Sequence, residues 1–89
     1  MKLIKVSAMW CPACLIVNKN MKKIKDEYPK IEYIDYDYDF NSEEVKYYGV
    51  GQTLPVLILL DDENSEITRL AGEVSYEKIN ETIKRYESA

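Results

Sequence analysis

Two cysteines three positions apart, Cys11 and Cys14, fall at the seam between a short strand and a helix, and nothing else narrows the possible folds as much. Upstream, Lys2 to Val6 alternates charged and apolar residues after Leu3-Ile4, which predicts a strand. Ser7-Ala8-Met9-Trp10-Cys11 then forms a loop that feeds a helix beginning at Pro12. Proline is tolerated in a first turn because its missing N–H has no intrahelical partner there. Cys14, Val17, Met21, Ile24 and Tyr28 recur at alternating spacings of three and four, so one helical face is apolar from Pro12 to Tyr28. Pro29 disfavours helix at the residue before it and closes the element. Cys11 is thereby placed at the helix mouth and Cys14 on the buried stripe.

The rest of the chain continues the alternation of strands and helices. Ile31 to Phe40 reads as a second strand, with Ile34, Tyr36, Tyr38 and Phe40 on one face and Asp35, Asp37 and Asp39 on the other. Asn41-Ser42 offers an N-cap for a short helix from Glu43 to Tyr48, which Gly49 ends. Val56 to Leu60 is a continuous apolar run suited to a buried central strand. Asp61 to Ser65 is a polar hairpin loop, Glu66 to Ala71 the return strand, and Gly72 its close. Ser75 caps a last helix whose stripe is Tyr76, Ile79, Ile83 and Tyr86, with Val74 and Ile79 placed as a hydrophobic staple. The order β-α-β-α-β-β-α predicts an α/β fold: a parallel pair joined by a right-handed crossover, an antiparallel hairpin, and a four-stranded mixed sheet with helices on both faces. At 89 residues, a single domain spanning 1–89 is expected.

Charge and composition exclude whole classes of function. A net charge of −4 makes nucleic acid an unsuitable partner, since phosphate binding needs a clustered basic surface. The chain has no histidine, so it cannot by itself build a Ser-His-Asp triad, a Cys-His dyad or a His-ligated metal site. No apolar run is long enough to span a membrane. Met1 to Val6 is too short and too charged for a signal h-region, so a cytoplasmic location is expected. In that compartment two cysteines are reduced or redox-cycling rather than a static staple.

At the mouth of a helix, unpaired backbone N–H groups and the positive end of the dipole favour a thiolate on Cys11. Such a thiolate is a nucleophile, whereas Cys14, on the apolar stripe, is less exposed. The asymmetry assigns roles: Cys11 attacks a substrate disulfide, and Cys14 then attacks Cys11 to release the reduced product. Two inert core thiols or half of a zinc site shared by a dimer are the competing readings. A Cys-x-x-Cys embedded in a strand–helix–strand pattern favours redox work over both. The acidic residues Asp35, Asp37, Asp39, Glu43 and Glu44 read as a solvated face, and the Tyr36, Tyr38, Phe40, Tyr47, Tyr48 group as core and rim packing. Trp10, beside Cys11, is placed to shield the thiolate and offer substrate an apolar contact, with Ala8 and Met9 on the same surface.

Trp10-Cys11-Pro12-Ala13-Cys14 after a first strand, then Thr53-Leu54-Pro55 opening a strand about forty residues on, then a hairpin, Gly72 and a final helix, resembles the thioredoxin superfamily over essentially the whole chain. The resemblance implies the minimal thioredoxin fold with sheet order 2-1-3-4. It implies a cis bond at Leu54-Pro55, with Pro55 against the thiol pair. Thr53 and Leu54 would pair with an extended substrate through their backbone, with Gly72 near the groove. Trp10 is thioredoxin-like, while Pro12 and Gln52-Thr53-Leu54-Pro55 are closer to glutaredoxins; Ala13 matches neither main type. Lys5 stands where thioredoxins carry a buried acid, either as an outward strand lysine or as an ammonium favouring thiolate. Ser7 stands where glutaredoxins place a basic residue for glutathione, and Glu73-Val74-Ser75 where they place an acidic cap.

The expected function is a cytosolic protein-disulfide reductase, with no bound cofactor or metal beyond its redox-active Cys11–Cys14 pair. Its electrons would come from a thioredoxin-reductase-like flavoprotein or from glutathione. Its partners would be disulfide-containing proteins, not nucleic acid or membrane, and it would act as a monomer. A glutathione-dependent glutaredoxin-type reductase and a peptide-binding module without turnover are the alternatives.

Overall fold

A computed structural model describes residues 1–87 and contains seven elements. They are β1 (Lys2–Ser7), α1 (Pro12–Glu27), β2 (Glu32–Asp37), α2 (Ser42–Tyr47), β3 (Val56–Leu60), β4 (Glu66–Ala71) and α3 (Tyr76–Glu87). The sheet has the order β2-β1-β3-β4, with β1 and β2 parallel and the other two pairings antiparallel. This is the mixed four-stranded arrangement the sequence predicts.

β3 is central and all five of its residues are buried, which is why its sequence is continuously apolar rather than alternating. Its side chains divide between two cores. Val56, Ile58 and Leu60 join Ile4, Val6 and Val45 of α2 on one face of the sheet. Leu57 and Leu59 join Leu3, Val17, Met21 and Ile24 of α1, and Ile79 and Ile83 of α3, on the other. Fully burying one such aliphatic side chain contributes roughly 1.5–3 kcal/mol. Helices therefore cover both faces because alternate residues of one strand need cover on both sides.

Local chemistry sets the element ends. Tyr33 Oη donates to the carbonyls of Tyr28 at 2.8 Å and Ile24 at 3.3 Å, tying the end of α1 to β2. Burial, with lesser help from Tyr28 and Glu87, pushes the Tyr33 phenol up to about 12. Ser75 Oγ accepts from Lys78 N at 3.1 Å, so Ser75 caps α3 as expected. Gly49 takes φ +63° at the end of α2.

β2 is shorter than the alternation predicts. It stops at Asp37, because Asp37 Oδ1 accepts from the backbone N–H groups of Asp39 and Phe40 at 2.9 and 3.1 Å and turns the chain. Phe40 is consequently 80% exposed instead of facing the core. Asn41 does not cap α2 with its side chain; its Oδ1 accepts from Asp37 N at 2.8 Å and closes the same turn. Tyr36, Tyr38 and Tyr48 do pack against the α2-side core, whereas Tyr47 is exposed.

Candidate active site

Cys11 is the N-cap of α1, with extended backbone angles of φ −98° and ψ 109°. Its Sγ accepts a hydrogen bond from Cys14 N at 3.3 Å, so one of the orphan donors of the first turn points at the sulfur. Pro12 follows as the first helical residue and Ala13 is half-buried against the α2-side core. Both thiols are free and buried, Cys11 at 7% exposure and Cys14 at 2%. Burial first, and then the hydrogen bond with Cys11, pushes the Cys14 thiol up to about 11. The two sulfurs thus differ in their surroundings: a backbone N–H points at Cys11, and burial holds the proton on Cys14.

The loop before β3 closes over Cys11. Cys11 Sγ donates to the carbonyl of Leu54 at 3.6 Å, and the Leu54–Pro55 peptide bond is cis. Leu54 and Pro55 are buried, while Gly51, Gln52 and Thr53 are exposed. Gly72, at φ +86°, donates its N–H to the Pro55 carbonyl at 2.8 Å and lies next to Thr53. Three separated stretches, Trp10–Cys14, Thr53–Pro55 and Gly72, thus meet at one end of the sheet.

Trp10 is 59% exposed but does not lie free. Its Nε1 donates to Asp39 Oδ2 at 2.8 Å, and its ring meets Tyr38 edge-on at 6.1 Å. Met9 is exposed beside it, but Ala8 is buried and takes part through its backbone, whose carbonyl accepts from Cys11 N at 3.2 Å. The acidic stretch is therefore more than a solvated face. Asp39 holds Trp10, Asp37 builds the turn, and Asp35 pairs with Lys5 at 3.8 Å and Lys25 at 4.0 Å.

Behind the thiols a cleft of about 330 Å³ is lined by Ser7, Ala8, Met9, Cys14, Leu15, Asn18 and Asp37. Asn18 could have been found from its place one turn after Cys14; Asp37 and Asp39 could not, since only the β1–β2 pairing brings them near. Among the described residues no group of three or more His, Cys, Asp or Glu side chains is placed to hold a metal ion. No described helix is long and apolar enough to cross a membrane.

Comparison with known proteins agrees with this geometry. The sequence profile of the thioredoxin family matches residues 1–85. The thioredoxin of Fasciola hepatica superposes with a TM-score of 0.85 at 27% identity, over 94% of this chain and 78% of that one. Thioredoxin-2 of a malaria parasite gives 0.86 at 27% identity, over 94% and 81% of the two chains. The thioredoxin of Trypanosoma brucei brucei gives 0.88 over 99% and 75% of the chains, and at 24% identity it speaks to the fold alone. No curated protein matches the sequence. The chain belongs to the thioredoxin family. That family consists of thiol–disulfide oxidoreductases that carry no prosthetic group and work through a redox-active cysteine pair.

Proposed function

We propose that this protein is a cytosolic reductant of protein disulfides, with Cys11 as the nucleophile and Cys14 as the resolving thiol. The observation that carries the reading is Cys11 Sγ at the N-cap of α1, accepting the Cys14 N–H at 3.3 Å. A backbone donor fixed on sulfur favours negative charge there without any side-chain base.

Catalysis runs in two exchanges. The Cys11 thiolate attacks one sulfur of the substrate disulfide. The Cys11–S bond forms, the substrate S–S bond breaks, and the departing sulfur keeps the electron pair and takes a proton from solvent. The Cys14 thiolate then attacks Cys11 Sγ. The Cys11–Cys14 disulfide forms, and the second substrate sulfur leaves as thiolate and is protonated. The substrate gains two electrons and two protons. A reductase flavoprotein or glutathione returns two electrons to the pair, so no bound cofactor is needed.

Exposed Met9 and Trp10 supply apolar contact beside Cys11. Thr53 and Leu54 offer backbone groups to an extended substrate segment, with Gly72 beside Thr53. Ser7 offers no positive charge to a glutathione carboxylate, which favours protein disulfides as substrates and a reductase-fed cycle.

The test compares Cys11→Ser and Cys14→Ser with a disulfide-bonded protein as substrate, read by intact mass. Cys14→Ser should accumulate a mixed disulfide at Cys11, and Cys11→Ser should form none and lose turnover by at least a hundredfold. Turnover that survives in Cys11→Ser overturns the assignment. Substrate binding without turnover in the unaltered protein would make this a peptide-binding module.

A further inference from the structure

Lys5 sits in the middle of β1, in register with Asp35 of β2 and Leu57 of β3. Strand alternation places it with Leu3 and Ser7 on the sheet face that α1 covers, since Leu3 and Leu57 pack there against Val17 and Met21. Its side chain is only 12% exposed. A lysine so enclosed must have partners, because taking an ammonium out of water is costly. Nζ donates to Oδ1 of Asn18 on α1 and lies 3.8 Å from Asp35 Oδ1. Asn18 is one helical turn beyond Cys14 and lines the same cleft. The hydrogen bond therefore holds the ammonium one helical turn from Cys14, on a residue that shares the Cys14 cleft.

We propose that Lys5 is the positioning residue of the resolving step: a sheet-anchored ammonium, held by Asn18, that favours the Cys14 thiolate once Cys11 is engaged in a mixed disulfide. The inference rests on Cys14 being the resolving thiol. In the reduced protein burial and Cys11 together hold the proton on Cys14, while a backbone hydrogen bond with Ala8 and, after it, the charge of Lys5 pull the other way. Two of the influences that retain this proton are the hydrogen bond and the charge of Cys11. Both disappear when Cys11 is bonded to substrate, and the influence of Lys5 remains. The ammonium thus matters most at the moment Cys14 must react.

The groups around Cys14 are Cys11 at the N-cap of α1, the Ala8 backbone, Lys5 on β1 and, lining the same cleft, Asp37 on β2, while Asp35 faces Lys5. Asp35 is 57% exposed and shared with Lys25, so water and a second cation weaken its claim on Lys5. Asp37 is engaged by two backbone N–H groups. In the step itself the Cys14 proton passes to a solvent base through the cleft. Cys14 Sγ bonds to Cys11 Sγ, and the bond from Cys11 to the substrate sulfur breaks. The electron pair leaves on that sulfur, which takes a proton from solvent. Lys5 supplies field, not a proton.

Lys5→Gln keeps a donor for Asn18 and removes the charge; Lys5→Arg keeps the charge. Two readouts apply. The first is the ultraviolet thiolate titration of Cys14 in a Cys11→Ser background. The second is the rate at which a mixed disulfide, preloaded on Cys11 with a small aromatic thiol, resolves. Lys5→Gln should move the titration up by about one pH unit and slow resolution at neutral pH about tenfold, with Arg restoring both. Asp35→Asn, at the solvent side, should move the titration down, and it tests the same charge should the Gln variant fail to fold. Titrations that coincide, or resolution indifferent to the charge at position 5, overturn the role of Lys5 alone. A protein that never forms the mixed disulfide overturns the oxidoreductase reading and the resolving step with it.

Discussion

At the scale of single residues, the two thiols differ through what surrounds each sulfur. Cys11 has a backbone N–H aimed at it, and Cys14 has buried apolar neighbours that keep it protonated up to about 11. The folded state raises this thiol above its ordinary value of 9.0, so it contributes stability that is fully present below pH 9 and lost as pH rises toward 11. In urea unfolding of the reduced protein, the stability difference between wild type and Cys14→Ala should hold steady below pH 9 and narrow between pH 9 and pH 11. A difference that widens over that window would mean the fold favours the ionised thiol. Trp10 offers a second residue-level test, because it is the only tryptophan in the chain. Asp39→Ala removes the acceptor of its indole N–H and should lower its fluorescence anisotropy and move its emission; unchanged values would mean that the edge contact with Tyr38 alone holds the ring.

At the scale of elements, periodicity located what the core needs and missed what side chains do to the backbone. The apolar stripe of α1 is legible because burial repeats with the helical period, and the run of β3 because a strand covered on both faces is apolar throughout. Ser75 at the start of α3 is legible for a similar reason, since a cap is a local hydrogen bond between near neighbours. Ser75→Ala should therefore cost about 1 kcal/mol in urea unfolding, and a loss near zero would show that the Val74–Ile79 contact holds the helix start unaided. The end of β2 was not legible. Alternation through Phe40 predicts more strand, but Asp37 and Asn41 exchange side-chain and backbone hydrogen bonds that turn the chain first. Whether an aspartate faces water or folds onto its own backbone is a choice that composition does not record.

At the scale of the whole molecule, the sheet gathers residues that the sequence keeps far apart. Cys11 and Pro55 could be paired from the resemblance, because both motifs carry their own signatures. Asp39 beside Trp10, and Lys5 beneath α1, could not, since each depends on the register of β1 with β2. A lysine in an alternating strand is ordinarily solvated. Here β2, β3 and α1 together enclose it, and only the assembled fold shows that it bonds Asn18, one helical turn beyond Cys14. The same assembly gives the account its most direct test, a redox titration of Cys11 and Cys14 against dithiothreitol and glutathione buffers, read by alkylation and intact mass. The account predicts one reversible two-electron midpoint, at or below the cytosolic glutathione poise of roughly −220 to −320 mV, with both thiols closing together. A pair that never closes into a disulfide under oxidising buffer would contradict it.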